Sequence, residues 1–325
     1  MSNPVRQHYI PRSYLKNFAF QDGDKYFVDA LMKKQPAKII KLSTKDICLE
    51  KNLYTFPHNT PGDRFALEKF YAEEVDGEYS KVYDMLINPN ITVIGKDDKL
   101  KILNTVLSLF FRTPHFLNNR LKSLDKLMDG FIDEYKDPEH EVTVRWKRER
   151  EHKFKMRGIE ESRDYIKQQY KSEFLIDHFA DWQEFVAYKM TCGIQLITVP
   201  DEVPIITSDN PVLILALNGQ INLENIFGHH NIIEVPLDRN RYLIIHPNSV
   251  AEGEQLTISR ATRDKRFAAG VNLRIDDNAQ LMLVGHQGDL QVHLDSQAAL
   301  GADTLENTQA LEDLKKKVRL FVSIS

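Results

Sequence analysis

The apolar residues of this chain change period twice along its length, and that change limits the fold more than any other feature. Near the N-terminus, Tyr26 to Leu31 and Ile39 to Leu42 are short β-like stretches separated by Lys33-Lys34-Gln35-Pro36, which predicts a hairpin with a polar loop. Asn52-Leu53-Tyr54-Thr55-Phe56 predicts one further strand, ended by Pro57. From Arg64 to Ile87 the spacing turns helical, with Phe65, Phe70, Val75, Tyr79, Val82 and Leu86 on one stripe. A second helical tract runs from Asp97 to Tyr135 with a break at Thr113-Pro114, because proline removes a backbone donor and clashes with the preceding turn. A third runs from Arg145 to Lys189. From Cys192 onward short β-branched runs return: 194–199, 205–207, 212–217, 232–235, 242–245 and 282–284, with one helix from Thr262 through Leu273.

This order predicts an α+β protein in which the β-rich N- and C-terminal parts pair into one mixed or antiparallel sheet around a large helical middle block. The segments are 1–62 (β-rich arm), 63–190 (helical block), 191–290 (β-rich part packing on the arm) and 291–325 (a polar tail helix). The regular alternation of a doubly wound parallel sheet is missing, as are repeats and a Gly/Ser-rich linker.

Composition narrows the class. A net charge of −4 over 325 residues provides no global field to recruit nucleic acid or acidic lipid, so any such contact must come from a local patch. Cys48 and Cys192 are too few for a disulfide framework or a thiolate zinc site. No apolar run reaches the roughly 18 residues a membrane span needs, and the opening residues lack a signal peptide's apolar core. The expectation is a soluble cytoplasmic protein without a membrane partner.

Chemistry-bearing residues gather in a few places. The opening tract Gln7-His8-Tyr9-Ile10-Pro11-Arg12-Ser13-Tyr14-Leu15-Lys16-Asn17-Phe18 places aromatic rings at an end that is usually polar, so it docks on the body of the protein. His8 there suits a general base, because its ordinary pKa lies near neutrality; the competing reading makes His8 and Tyr9 core residues with one satisfied polar atom each. Thr207-Ser208-Asp209-Asn210-Pro211 lies between two apolar runs and suits a positioned carboxylate, or else a turn in which Asp209 and Asn210 bond local backbone. Arg112, between an apolar helix and Pro114, must meet an anion, either a ligand or a neighbouring carboxylate. Glu68, Glu73, Glu74, Asp76 and Glu78 form an acidic row in which Glu74, with Asp209, could hold a divalent cation; a solvated face is the alternative. Arg145, Lys147 and Arg148 open a basic run with Trp146 and Phe154 interleaved, a pattern that grips phosphates or forms a solvated helix with internal ion pairs.

The opening tract, together with Asn52-Leu53-Tyr54, Arg112-Thr113-Pro114, Ile206-Thr207-Ser208-Asp209-Asn210-Pro211-Val212 and Val235-Pro236-Leu237, resembles the recurring blocks of a bacterial family catalogued as domain of unknown function 4238. The resemblance covers residues 5–285 and leaves the tail outside. It implies no particular chemistry, since the family's activity is unassigned, but it gives weight to a shared site built from His8, Arg112 and Asp209.

The sequence therefore predicts a hydrolase acting on a phosphate-containing substrate, nucleic acid or nucleotide. His8, Asp209 and Arg112 would carry catalysis, and Tyr9, Tyr14, Ser208, Asn210, Arg145, Lys147 and Arg148 would bind. A divalent metal is the one cofactor the pattern admits. The alternative is a non-catalytic ligand- or nucleic-acid-binding module whose helical block serves protein contacts or self-association. Under the catalytic reading, His8→Ala and Asp209→Ala abolish turnover and leave thermal stability nearly unchanged.

Overall fold

A computed structural model gives the fold and describes residues 6–36, 38–56, 63–146, 150–222, 226–228, 230–249 and 256–299. The N-terminal part holds β1 (Arg6–His8), a short helix α1 (Arg12–Leu15), β2 (Phe20–Asp22), β3 (Lys25–Met32), β4 (Ile39–Ser43) and β5 (Leu49–Lys51). The middle holds α2 (Ala66–Phe70), α3 (Tyr79–Ile87), α4 (Lys96–Phe111), α5 (Pro114–Glu134), the strands β6 (Glu141–Trp146) and β7 (Arg150–Lys155), and the long α6 (Ile159–Lys189). The C-terminal part holds β8 (Cys192–Thr198), β9 (Thr207–Ser208), β10 (Leu213–Leu215), β11 (Ile232–Asp238), β12 (Arg241–Ser249), β13 (Ile258–Thr262), α7 (Lys265–Asn278) and β14 (Met282–Gly285). A last helix, α8, spans 289–299. The predicted tail helix beyond it falls outside the described residues.

The fold is α+β, and its β-rich ends do pair. β14 lies antiparallel between β3 and β9, with Leu283 opposite both Leu31 and Ser208, so the N-terminal hairpin and the Thr207-Ser208 strand share one five-stranded sheet. That sheet does not take all the strands, however. A second five-stranded sheet, β10-β11-β12-β8-β13, is wholly C-terminal, with only the β8–β13 pair parallel. The expected single sheet is therefore two. Both faces of the second sheet are covered, which explains its nearly continuous apolar strands. Leu196, Val235 and Leu243 face the helical block, while Ile197, Leu213 and Tyr242 face α7.

Three local readings change. The strand expected over 52–56 lies earlier, at β5, and Asn52 turns the chain with φ +54. The strand β13 went unrecognised because Ile258 alone in it is deeply buried. The tract from Arg145 is not helical: β6 and β7 form an antiparallel hairpin whose Val142, Val144 and Phe154 pack with Leu124 and Met128 of α5, and α6 starts only at Ile159.

The helical block positions the site. Thr113 caps α5 by accepting from the Phe116 N–H at 3.3 Å, and Pro114 occupies the first helical position, where its missing N–H costs nothing. Between α2 and α3 the chain makes a π-helical turn, Tyr71–Asp76. The wider turn keeps Tyr71, Val75 and Tyr79 all in the core and brings Asp76 beneath the end of α4. No helix among the described residues is long and apolar enough to cross a membrane.

Candidate functional site

The N-terminal arm is pinned from both sides. β1 pairs with β5, and the chain continues extended, Tyr9 N donating to the Cys48 carbonyl at 3.0 Å. Gln7, fully buried, accepts from Tyr54 N at 2.7 Å and donates to Thr55 Oγ1 at 3.1 Å. Successive side chains of an extended segment point to opposite sides. His8 turns toward a cluster around Arg112, and Tyr9 turns into a cleft.

In the cluster, the buried Arg112 guanidinium ion-pairs with Asp76 and donates from Nη2 to the His8 carbonyl at 2.6 Å. It lies 4.4 Å from the centre of the Tyr71 ring, and the Tyr54 hydroxyl donates to the Arg112 carbonyl. The His8 ring donates to the Thr44 carbonyl, and its Nε2, buried, has no hydrogen-bond partner. Burial, joined by the Arg12 charge, lowers the His8 pKa. Glu68 also feels the Arg112 charge; burial raises its pKa to about 7, although the guanidinium pulls the other way.

The cleft, of about 600 Å³, is lined from four directions: Tyr9 and Glu50 from the arm and β5, His115, Lys122 and Asp125 from one face of α5, Lys167 from α6, and Asp209 and Gln280 from the C-terminal part. His115 Nε2 accepts from Asn119 Nδ2 at 2.9 Å. The other side of the ring meets Gln280, whose Nε2 is already donated to the Asn278 carbonyl at 3.0 Å, so Oε1 is the acceptor that faces His115. Burial, reinforced by the Lys122 ammonium, lowers the His115 pKa, so the imidazole is neutral at pH 7. Lys167 is tied to Asp125 at 2.6 Å.

Asp209 forms the end wall. Its Oδ1 accepts from Gln280 N at 3.0 Å and Met282 N at 3.3 Å, and its Oδ2 accepts from Leu281 N at 2.9 Å. Burial still raises its pKa, outweighing those three N–H groups. Close to it, burial raises the Tyr9 hydroxyl's pKa as well.

The residues predicted from sequence are thus divided. His8 and Arg112 come together, and Tyr9 and Asp209 come together, but the cleft is lined by the second pair and not by the first. Arg112 has found a neighbouring carboxylate, the structural alternative for it. Tyr14 is fully buried with its hydroxyl 2.6 Å from Thr207 Oγ1, a core contact rather than a binding one. Ser208 is buried and accepts from Asn210 N at 3.1 Å, and Asn210 bonds Asn278. Glu74 is exposed on the π-helical turn, and among the described residues no group of three or more His, Cys, Asp or Glu could hold a metal ion. Arg145 is an exposed strand residue paired with Glu151 at 3.2 Å; Lys147 and Arg148 lie outside the described residues.

His115, Lys122 and Gln280 were not proposed as site residues from the sequence. A signal existed for two of them: Thr113-Pro114 marks a helix start, which fixes His115 in the first turn and Lys122, seven residues on, along the same face. Gln280 carries no such signal, because its position depends on the 278–282 loop meeting Asp209.

The family described as "Protein of unknown function (DUF4238)" matches residues 6–289, and the chain belongs to that family. No curated protein and no solved structure matches the chain.

Proposed function

We propose that this DUF4238 protein binds a small phosphate-containing molecule of nucleotide type in the cleft and hydrolyses it, with His115 in the proton-transfer role that the sequence suggested for His8. The observation that carries the reading is the face of α5. The first turn of the helix with the neutral His115 imidazole and, two turns on along the same face, the exposed Lys122 ammonium line one cleft, where Lys122 has no ion pair among the described residues. The free ammonium favours a phosphate, and so does the His115 backbone N–H, which the Thr113 cap and Pro114 leave as the open donor of the first turn. Tyr9 and the apolar Leu49, Leu121 and Leu281 supply the surface for the uncharged part of the ligand.

In the reaction, water attacks phosphorus while His115 Nε2 takes its proton, after the Asn119 amide gives up its bond to that nitrogen. The bond to the leaving oxygen breaks, and the imidazolium returns the proton to that oxygen. A small ligand fits better than a nucleic acid. Four cations in and just after the basic hairpin are ion-paired locally, Arg145 and Lys153 sharing Glu151, and Lys155 and Arg157 sharing Glu139, which weakens the patch as a phosphate track.

One observation favours a second reading, the binding module without turnover: both sides of the His115 ring are hydrogen-bonded and Asp209 is occupied by three backbone N–H groups. Calorimetric titration with ATP, AMP and inorganic phosphate, run beside a phosphate-release assay, separates the readings. The expected result is nucleotide binding that Lys122→Ala weakens at least tenfold, with phosphate release that His115→Ala abolishes while binding persists. Binding without release establishes the second reading, and absence of nucleotide binding removes both.

A further inference from the structure

The guanidinium of Arg112 does two jobs at once, holding Asp76 through Nη1 and the His8 carbonyl through Nη2. Its Nε is buried without a hydrogen-bond partner, and so is Oε2 of Glu68, the second carboxylate bearing on the same cation. The groups around Glu68 come from three places: Arg112 at the end of α4, Asp76 and Tyr71 on the π-helical turn, and Tyr54 after β5. His8 and Arg12 lie beyond them on the arm. Glu68 feels the Arg112 charge without being ion-paired to it, and a charge-assisted bond from the unused Nε–H to the ionised carboxylate outcompetes one to a neutral carbonyl.

We propose that Glu68 is the proton-controlled positioning residue of a latch that holds the N-terminal arm, and with it Tyr9, against the body of the protein. When Glu68 is protonated, Arg112 stays on the His8 carbonyl and the arm is closed. When Glu68 gives its proton to solvent, its carboxylate draws Arg112 through Nε, the Nη2 bond to His8 breaks, and the arm keeps Gln7, the β1–β5 pairing and the bonds to the Cys48 and Thr44 carbonyls but loses its tie to Arg112. Burial of the Glu68 carboxyl puts this exchange near pH 7. The latch rests on the arm's tether and stands whether or not the cleft takes a phosphate.

The test is amide hydrogen exchange of residues 7–10 in the full chain without ligand, from pH 5.5 to 8.5. Rates are corrected for intrinsic exchange and referenced to the core amides of β12. The expected result is that arm protection falls at least fivefold relative to β12 as pH rises through 7, and that Glu68→Gln, which keeps the neutral shape, holds the arm at its low-pH protection throughout. Relative protection that stays flat in the wild-type chain overturns the proposal without any variant, and so does an unchanged fall in Glu68→Gln.

Discussion

Asn210 and Asn278 hold each other reciprocally: Asn210 Nδ2 donates to the Asn278 carbonyl at 3.1 Å, and Asn278 Nδ2 donates to the Asn210 carbonyl at 2.7 Å. The same Asn278 amide reaches the Val212 carbonyl at 3.1 Å, so the C-terminus of α7 is fastened to the Ser-Asp-Asn-Pro turn through buried amides. Asn278→Ala strands the buried carbonyls of Asn210 and Val212, while the Asn210 amide keeps its backbone acceptor. With each unsatisfied group costing about 1–3 kcal/mol, the variant is expected to lose about 2–4 kcal/mol. Urea unfolding with an unchanged m-value would show it, and a loss below about 1 kcal/mol would mean that water replaces the amide freely.

Asp209 is expected to behave as a structural clamp. Asp209→Ala orphans the N–H groups of Gln280, Leu281 and Met282 at once, and Asp209→Asn turns an amide donor toward them. Both variants should lose about 2–4 kcal/mol, by the cost of unmade bonds to a buried charged acceptor. This reverses the expectation that removing Asp209 spares stability, and a melting temperature within about 2 °C of wild type would restore it.

Arg112 carries a different demand, since only a planar fork can serve Asp76, the His8 carbonyl and the Tyr71 face together. Arg112→Lys keeps the charge but loses one of the two hydrogen-bonded contacts and the stacking. It should therefore recover less than half of the stability lost in Arg112→Ala, about 3 kcal/mol for stranding Asp76. Full rescue by lysine would show that charge alone matters at this position.

How much of this was legible depends on the range of the interaction. The Thr113-Pro114 break, the β3–β4 hairpin and the buried strands around Leu196 and Leu243 follow from local chemistry and period, and those elements form as read. The β6–β7 hairpin was hidden because the charged run from Arg145 to Lys155 offers few apolar positions to set a period; the packing of Val142, Val144 and Phe154 on Leu124 and Met128 decides for strand. Arg112 was rightly read as needing an anion, but a sequence cannot say whether that anion is a ligand or Asp76. Tyr9 and Asp209 were chosen as site residues and do share the cleft, whereas His8, adjacent to Tyr9, faces away from it because alternate residues of an extended arm must.

Glu68 ionises near its ordinary value of 4.5 in the unfolded chain and at about 7 when folded, so between those limits the native state binds more protons. Stability contributed by the neutral carboxyl is therefore present below about pH 4.5 and is lost as pH rises toward 7. Three histidines, His8, His115 and His246, have pKa values lowered by burial and pull the other way, since their folded forms shed a proton more readily than the unfolded chain. The raw stability curve of the wild-type chain mixes these slopes. The difference between wild type and Glu68→Gln isolates the glutamate, because the histidines are common to both. That difference should shift steadily against the wild type from pH 5 to 7.5 and then level off, with a slope shallower than one full proton because Glu68 is only half-buried. Chemical denaturation of both proteins at half-unit pH steps measures it. A flat difference would show that Glu68 ionises in the folded protein as an ordinary surface glutamate does, and one that favours the wild type as pH rises would show that the Arg112 charge outweighs burial.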